Sequence, residues 1–284
     1  MDPVIVTGAS GAMGSEAVKA LVRAGRPVLM ACRDLAKAEK VRRAVLRSYP
    51  EASLEIAELD LGSFASIRAF VAGLGEERRF AGLFNNAGTL CRHFLLSEDG
   101  FERTWAVNYM GPYLLTRLLL PHMAEGASLV NMVSLSVITA KLDWHAFEAS
   151  EEKFRQIQAY ADSKLALALF TVSLEEWVRR HGLRLSVNMA DPGIVDTPII
   201  HLDRWFDRLC DKLFRPLCKT PAQGAAAAVN PLLHPEVSGM LCTSGRRGDR
   251  FRRIPFPQRF LGHPLRVWLW DETASRCKLS YSDQ

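Results

Sequence analysis

Tyr160 and Lys164 are four residues apart in Tyr160-Ala161-Asp162-Ser163-Lys164, inside an apolar stretch that reads as helix. On a helix, positions i and i+4 share a face. A lysine held beside a tyrosine favours the phenolate, because a nearby positive charge stabilises the charged form. The pair can then work as a general acid and base near neutral pH. By itself this spacing is also that of an ordinary helix surface, so its weight depends on what accompanies it.

Two further groups of residues bear on ligand chemistry. Thr7-Gly8-Ala9-Ser10-Gly11-Ala12-Met13-Gly14 follows a short β-branched run, Val4-Ile5-Val6, and opens a helical pattern. Glycines there let the backbone approach a pyrophosphate, and the helix N-terminus offers its free N–H groups to the anion. About twenty residues on, Cys32 ends a second strand and Arg33 follows it. A carboxylate at that place selects NAD through the ribose 2′-hydroxyl, whereas an arginine accepts a 2′-phosphate. The sequence therefore favours NADP(H). Asp34, one step further, is the counter-argument.

These residues need a scaffold, and the hydrophobic pattern supplies one. Strands are predicted at Val28 to Cys32, Leu54 to Glu58, Gly82 to Phe84, Ser128 to Ser134 and Leu183 to Met189. Helices are predicted from about Met13 to Arg23, Ala36 to Ser48, Ser63 to Leu74, Phe101 to Ala124 and Glu151 to His181. Strand and helix alternate over some 190 residues, the signature of an α/β, doubly wound parallel sheet. A helix at Pro221 to Leu233 and a last strand near Gly239 to Thr243 follow. The whole reads as a single domain of 284 residues.

Four motifs in order give the chain a family likeness: the turn at Thr7 to Gly14, Asn85-Asn86-Ala87-Gly88, Ser134 with Tyr160 and Lys164, and Asp191-Pro192-Gly193. The chain resembles the short-chain dehydrogenase/reductase superfamily over about residues 3 to 198. Ala31-Cys32-Arg33-Asp34, Leu59-Asp60-Leu61, Val107-Asn108 and Trp268-Leu269-Trp270-Asp271 resemble the branch of retinol dehydrogenases and protochlorophyllide reductases.

The resemblance implies a Rossmann-type sheet and assigns roles. Tyr160 would protonate a carbonyl oxygen, Ser134 would polarise it, and Lys164 would bind the nicotinamide ribose. Asn108 would hold a water that links Lys164 to solvent. Asn86, Ala87 and Gly88 would line the adenosine side, with Asp60 and Leu61 at its base. Pro192, Gly193, Val195 and Thr197 would sit against the nicotinamide. No metal site is expected. A homodimer or homotetramer through the helices near 101–124 and 151–181 is common among such proteins, unless the C-terminal tail blocks it.

Two departures stand out. Glycine falls at Gly11, where Ala12 would be the usual glycine position, and this spacing is more like the extended members. A nucleotide-sugar epimerase or dehydratase is thus a rival reading, although the 85 or so residues after Pro198 are few for such an enzyme's substrate domain. The serine motif reads Val133-Ser134-Leu135-Ser136, which leaves Ser136 as the alternative to Ser134. A second rival is a non-catalytic dinucleotide-binding sensor.

The remaining features are less specific. The formal net charge of +5 suits an anionic ligand, and no nucleic-acid-binding motif accompanies it. Cys32, Cys91, Cys210, Cys218, Cys242 and Cys277 form no CxxC pair and read as reduced thiols of a cytoplasmic protein. No secretory leader or membrane-length apolar run is evident. A substrate lid is expected at about 194–233, with amphipathic residues 199–219 closing over a hydrophobic substrate; contact with a membrane surface and plain packing on the core are its alternatives. The basic tail, about 246–284, reads as a solvated loop.

Overall fold

The computed structural model describes residues 1–196, 218–245 and 251–279. Its centre is an eight-stranded sheet: β1 (Val4–Thr7), β2 (Val28–Cys32), β3 (Leu54–Glu58), β4 (Phe80–Asn85), β5 (Met123–Met132), β6 (Ser186–Asp191), β7 (Met240–Ser244) and β8 (Phe251–Pro255). The spatial order is β3-β2-β1-β4-β5-β6-β7-β8. All neighbours pair in parallel except β7 and β8, which are antiparallel. The strand order reverses between β1 and β4. In such sheets the crevice outside the strand C-termini at this switch point receives the ligand.

The sheet is buried on both faces, as parallel sheets require. Side chains alternate along each strand. Val4, Val6, Val28 and Met30 pack into one core layer, and Ile5, Leu29 and Ala31 into the other. The first layer lies under α1 (Ala12–Arg23) and α2 (Leu35–Ser48). The second takes α3 (Phe64–Ala72), α4 (Arg103–Trp105), α5 (Gly111–Leu119) and α6 (Gln156–Arg180). The helix starts are written locally. Ser63 caps α3, and Thr220 with Gln223 forms a capping box at α7 (Pro221–Leu233).

The segment expected as one helix over 101–124 is broken. Between α4 and α5 lies a π-turn, Ala106–Met110, in which the Gly111 N–H reaches back five residues to the Ala106 carbonyl. Pro112 lacks the N–H that an unbroken α-helix would give to Asn108, so the regular ladder cannot run through this point. Gly111 permits close packing there: a Cβ would stand 2.3 Å from the Leu61 carbonyl oxygen. A short 3₁₀ turn, Leu120–His122, ends the segment, and β5 starts at Met123, five residues earlier than expected.

The region expected as a lid is largely outside the described residues, since 197–217 are not described. Its last part, α7, is a core helix. It packs on α1, and a Cβ at Gly224 would press to 2.7 Å from Val195 and 3.1 Å from Met13.

The tail departs most from expectation. Residues 251–279 are folded, as β8, α8 (Gln258–Leu261) and α9 (Arg266–Arg276). Two arginines of the described part of the tail fasten these elements. Arg253 donates to Asn230 Oδ1 at 2.7 Å, and Arg266 pairs with Glu176 of α6 at 2.6 Å. The aromatic residues provide the packing. Trp270 of α9 lies 5.6 Å from Tyr113 and 5.8 Å from Phe170, ring centre to ring centre. The buried Arg117 guanidinium sits 4.6 Å from the same indole. Thus α9 covers faces of α5 and α6. Among the described residues no helix is long and apolar enough to cross a membrane.

Removing the Trp270 indole deletes two aromatic contacts and uncovers a buried guanidinium. Trp270→Ala is expected to cost about 3 kcal/mol in urea unfolding, with an unchanged denaturant slope. A loss below about 0.5 kcal/mol would show that α9 is not part of the cooperative fold.

Candidate active site

The ends of β1 and β4 are joined by side chains. The Thr7 hydroxyl donates to the Phe84 carbonyl at 3.3 Å and accepts from the Asn86 and Ala87 amides at 3.0 and 3.1 Å. The Asn86 side-chain amide donates back to the carbonyls of Thr7 and Gly8, at 2.9 and 3.3 Å. This seam shapes the glycine turn. Gly8 has φ +61°, where L side chains are strained, and a Cβ would stand 3.0 Å from Ala87. At Gly14 a Cβ would be 2.3 Å from the Gly8 carbonyl oxygen. Gly11 differs: its φ is −78°, and only the Gly8 carbonyl oxygen, at 3.2 Å, lies near a Cβ. The two glycines that the turn most needs are therefore Gly8 and Gly14, and the unusual placing of Gly11 carries little weight.

From this turn a cavity of about 700 Å³ runs along the switch point. Gly8, Ser10, Gly11, Ala12, Met13, Gly14, Arg33, Asp60, Leu61, Asn86, Ala87 and Gly88 all line it. Gly11 begins α1 without a side-chain cap, so the first-turn amides of the helix are left for a ligand. The helix dipole adds positive potential at the same place. The volume and the anion-seeking turn fit a dinucleotide.

At the far end, Asp34 and Arg33 both line the cavity and take different partners. The Asp34 carboxylate caps α2, accepting the Lys37 N–H at 2.8 Å. Arg33 turns to the cavity, with its guanidinium 3.9 Å from Asp60 Oδ2. Lys37, Arg103, Thr7 and Thr89 also line the cavity and were not expected. Lys37 lies one helical turn after Arg33, a signal the sequence did carry. Arg103 comes from a different element, and nothing local to it pointed here.

The second group lies past Gly88. A Cβ on Gly88 would approach Asn108 Oδ1 to 3.4 Å and Lys164 Nζ to 3.6 Å. Asn108 sits in the π-turn and is buried. Its Oδ1 accepts the Thr89 N–H at 2.7 Å, and its Nδ2 donates to the Thr89 carbonyl and to Ser163 Oγ. It thereby ties the loop after β4 to α6. Lys164 is buried and donates to the Met132 carbonyl at 2.8 Å. Burial holds its ammonium down at about 8. Nζ lies 5.9 Å from the centre of the Tyr160 ring. Burial pushes the Tyr160 phenol up, a hydrogen bond with Ser134 opposes this, and the Asp191 charge adds to the rise.

Ser134, and not Ser136, thus reaches Tyr160. The Ser136 hydroxyl is buried without a hydrogen-bond partner, while its N–H donates to Ser134 Oγ at 3.2 Å. Pro192, Gly193 and Val195 stand at the end of β6, outside the lining of the cavity. Gly193 has φ +71° and donates its N–H to Asp191 at 2.9 Å, and Val195 pairs with Lys219. Thr197 lies outside the described residues. Among the described residues no group of three or more His, Cys, Asp or Glu is placed to hold a metal. Burial pushes the thiols of Cys242 and Cys277 up to about 11 and about 12, which keeps them protonated and inert.

A doubly wound sheet, a dinucleotide crevice at its switch point and a Ser–Tyr–Lys group beside it define a dinucleotide-dependent oxidoreductase. Residues 2–204 match the short chain dehydrogenase family. The chain is 34% identical to retinol dehydrogenase 13 of Homo sapiens over 281 residues, 95% of this chain and 83% of that protein. It is 33% identical to retinol dehydrogenase 12 of Mus musculus over 271 residues, 94% and 84% of the two. Polyprenol dehydrogenase of Homo sapiens is 33% identical over 244 residues, 83% and 74% of the two. A solved structure from Mycobacterium Paratuberculosis superposes with a TM-score of 0.80 at 25% identity, over 98% of this chain and 94% of that one. Levodione reductase shares the fold at a TM-score of 0.69 and 22% identity, over 87% and 97%. The chain belongs to the short chain dehydrogenase family, in its retinol dehydrogenase-like branch.

The buried ammonium of Lys164 has a measurable cost. Its folded pKa of about 8 lies below the ordinary 10.5. Between those values the unfolded chain binds the proton and the folded chain does not, so stability rises with pH across that window. Below about 8 the cost is present in full. It amounts to about 3 kcal/mol, against about 1.5–3 kcal/mol for the charged hydrogen bond to Met132 that would be lost. The stability of Lys164→Met relative to the unmodified protein is expected to fall by about 3 kcal/mol between pH 7 and pH 10.5. A difference that does not change with pH would show that the ammonium is solvated in the folded protein.

Proposed function

We propose that this enzyme uses NADP(H) to interconvert an alcohol and a carbonyl on a lipophilic substrate of the retinoid or polyprenol kind. The cofactor preference is carried by the division of labour at the end of β2. Asp34 and Arg33 both line the cavity, but one oxygen of the Asp34 carboxylate is engaged on the cap of α2, whereas the Arg33 guanidinium reaches only to within 3.9 Å of Asp60 Oδ2. An arginine fork pairs with a phosphate through two parallel hydrogen bonds. The substrate class is supported by the retinol and polyprenol dehydrogenases that the chain resembles.

The residues divide the work as follows. Tyr160 gives its proton to the carbonyl oxygen in reduction and takes it back in oxidation. Burial and the Asp191 charge keep the phenol protonated, as an acid must be. Ser134 reaches the same place and donates a hydrogen bond to the oxygen as charge develops on it. Lys164 offers an ammonium that is charged below about pH 8, and it is fixed by the Met132 carbonyl. Asn108 positions the loop bearing Gly88 against α6. A bound nicotinamide supplies or accepts the hydride.

Fluorescence titration with NADPH and NADH tests the cofactor reading. Arg33→Ala is expected to weaken NADPH about tenfold or more and NADH by less than about threefold. Equal affinities in the unmodified enzyme would overturn it. Assayed on all-trans-retinal, Tyr160→Phe is expected to lower kcat by about 10²–10⁴-fold. An unchanged rate would move the proton transfer to another group.

A further inference from the structure

The adenosine end of the cavity holds more positive charge than Arg33 alone supplies. Arg103 lines it too, and its guanidinium comes within 3.7 Å of Asp60 Oδ2. Arg33 approaches that same oxygen, at 3.9 Å. Neither distance is that of a hydrogen bond. The other oxygen of Asp60 is already engaged, accepting the Gly62 N–H at 2.8 Å. One carboxylate oxygen therefore sits between two guanidiniums without satisfying either. Lys37 adds a third cation to the lining, set against the carboxylates of Asp60 and Asp34, of which the latter has one oxygen engaged on the cap of its helix.

The backbone of Arg103 is held firmly for this task. The buried Glu102 carboxylate accepts the Thr104 and Trp105 amides at 2.8 and 2.9 Å and so caps the turn that Arg103 begins. The Arg103 N–H itself donates to the Leu95 carbonyl at 2.8 Å. Its side chain is 33% exposed, against 63% for Arg33. Arg103 is thus the better buried and better anchored of the two. Each guanidinium carries five N–H donors, and a phosphate monoester brings the acceptor oxygens that Asp60 cannot provide. Its negative charge also relieves the repulsion between two guanidiniums that share one carboxylate oxygen.

We propose that Arg103 is a specificity-determining residue, which with Arg33 forms a two-sided clamp for the phosphate monoester on the adenosine ribose. This rests on the NADP(H) reading above and extends it. Arg33 and Arg103 belong to opposite sides of the switch point, the one following β2 and the other beginning α4. The clamp therefore closes across the crevice, and discrimination between the two dinucleotides is shared by two elements distant in sequence.

Calorimetric titration of the 284-residue protein with 2′,5′-ADP and 5′-AMP, beside NADPH and NADH, tests it without turnover. The variants are Arg103→Met, which keeps the apolar stem, Arg103→Lys, Arg33→Ala and the double variant. Arg103→Met is expected to weaken 2′,5′-ADP and NADPH about tenfold or more, and 5′-AMP and NADH by less than about threefold. Arg103→Lys is expected to recover part of the loss, because it restores the charge without the fork. The double variant is expected to lose less than the product of the single losses, since both residues hold one phosphate. Circular dichroism and melting temperature, unchanged, would show that the fold is retained.

An unmodified enzyme without preference for NADPH would sink the cofactor reading and this inference together. If Arg33→Ala lowers the preference and Arg103→Met does not, the clamp is wrong and the cofactor reading stands. Equal weakening of all four ligands in Arg103→Met also overturns the proposal, by placing Arg103 against the adenine or the diphosphate instead.

Discussion

The hydrogen-bonded seam between the ends of β1 and β4 governs the rest of the site. Thr7 and Asn86 bind one another's strands through five hydrogen bonds at the switch point. A parallel sheet opens there because the crossovers on either side run in opposite directions. Left alone, the exposed carbonyls and amides would let the gap vary. Closed by Thr7 and Asn86, it has one width, set by the approach of Gly8 to Ala87. The glycines follow from that approach, since a larger residue at Gly8 or Gly14 would push against backbone.

A second polar layer supports the chemistry from beneath. Asn85 donates to Thr116 and to Asn131, and Asn131 donates to Thr171 of α6. These side chains are buried, so each unmade bond would carry a desolvation cost. The network locks β4, β5, α5 and α6 into one register. Lys164, one buried turn away from Tyr160 on α6, depends on that register to meet the Met132 carbonyl. Its lowered pKa records the cost of putting a cation in this layer. Such costs gather at functional sites, where position matters more than stability.

How much of this the amino-acid order revealed depends on how local the cause is. The bounds of β2, β3 and α7 were legible to the residue, because strand ends and caps are written in adjacent positions. Ser134, just past the end of β5, and Tyr160 and Lys164, on α6, stood out for the same reason, through short motifs. The π-turn was missed because its causes, Pro112 and the Leu61 carbonyl pressed against Gly111, are partly tertiary. Arg103 was missed because its partner, Asp60, sits on the far side of the crevice. The tail was misread for a different reason. Its basic composition suggested solvent, whereas in the described part Arg253 and Arg266 are staples whose partners, Asn230 and Glu176, lie on α7 and α6.

That folded tail is tied to the site through the same π-turn. Tyr109 follows Asn108 in the turn, is buried, and shares a 2.5 Å hydrogen bond with Thr273 of α9. Burial pushes its phenol far up, so it stays neutral and serves as a strut. The wide turn would otherwise be a weak point in the segment, since a π-turn gives up regular α-helical bonding. Leu61 packs against it on one side through Gly111, and α9 grips it on the other through Tyr109. Asn108 is held between these two contacts, aimed at Thr89 and Ser163. The C-terminal helix therefore does two jobs with one surface. It covers α5 and α6, and it steadies the turn from which Asn108 reaches the loop over the cavity.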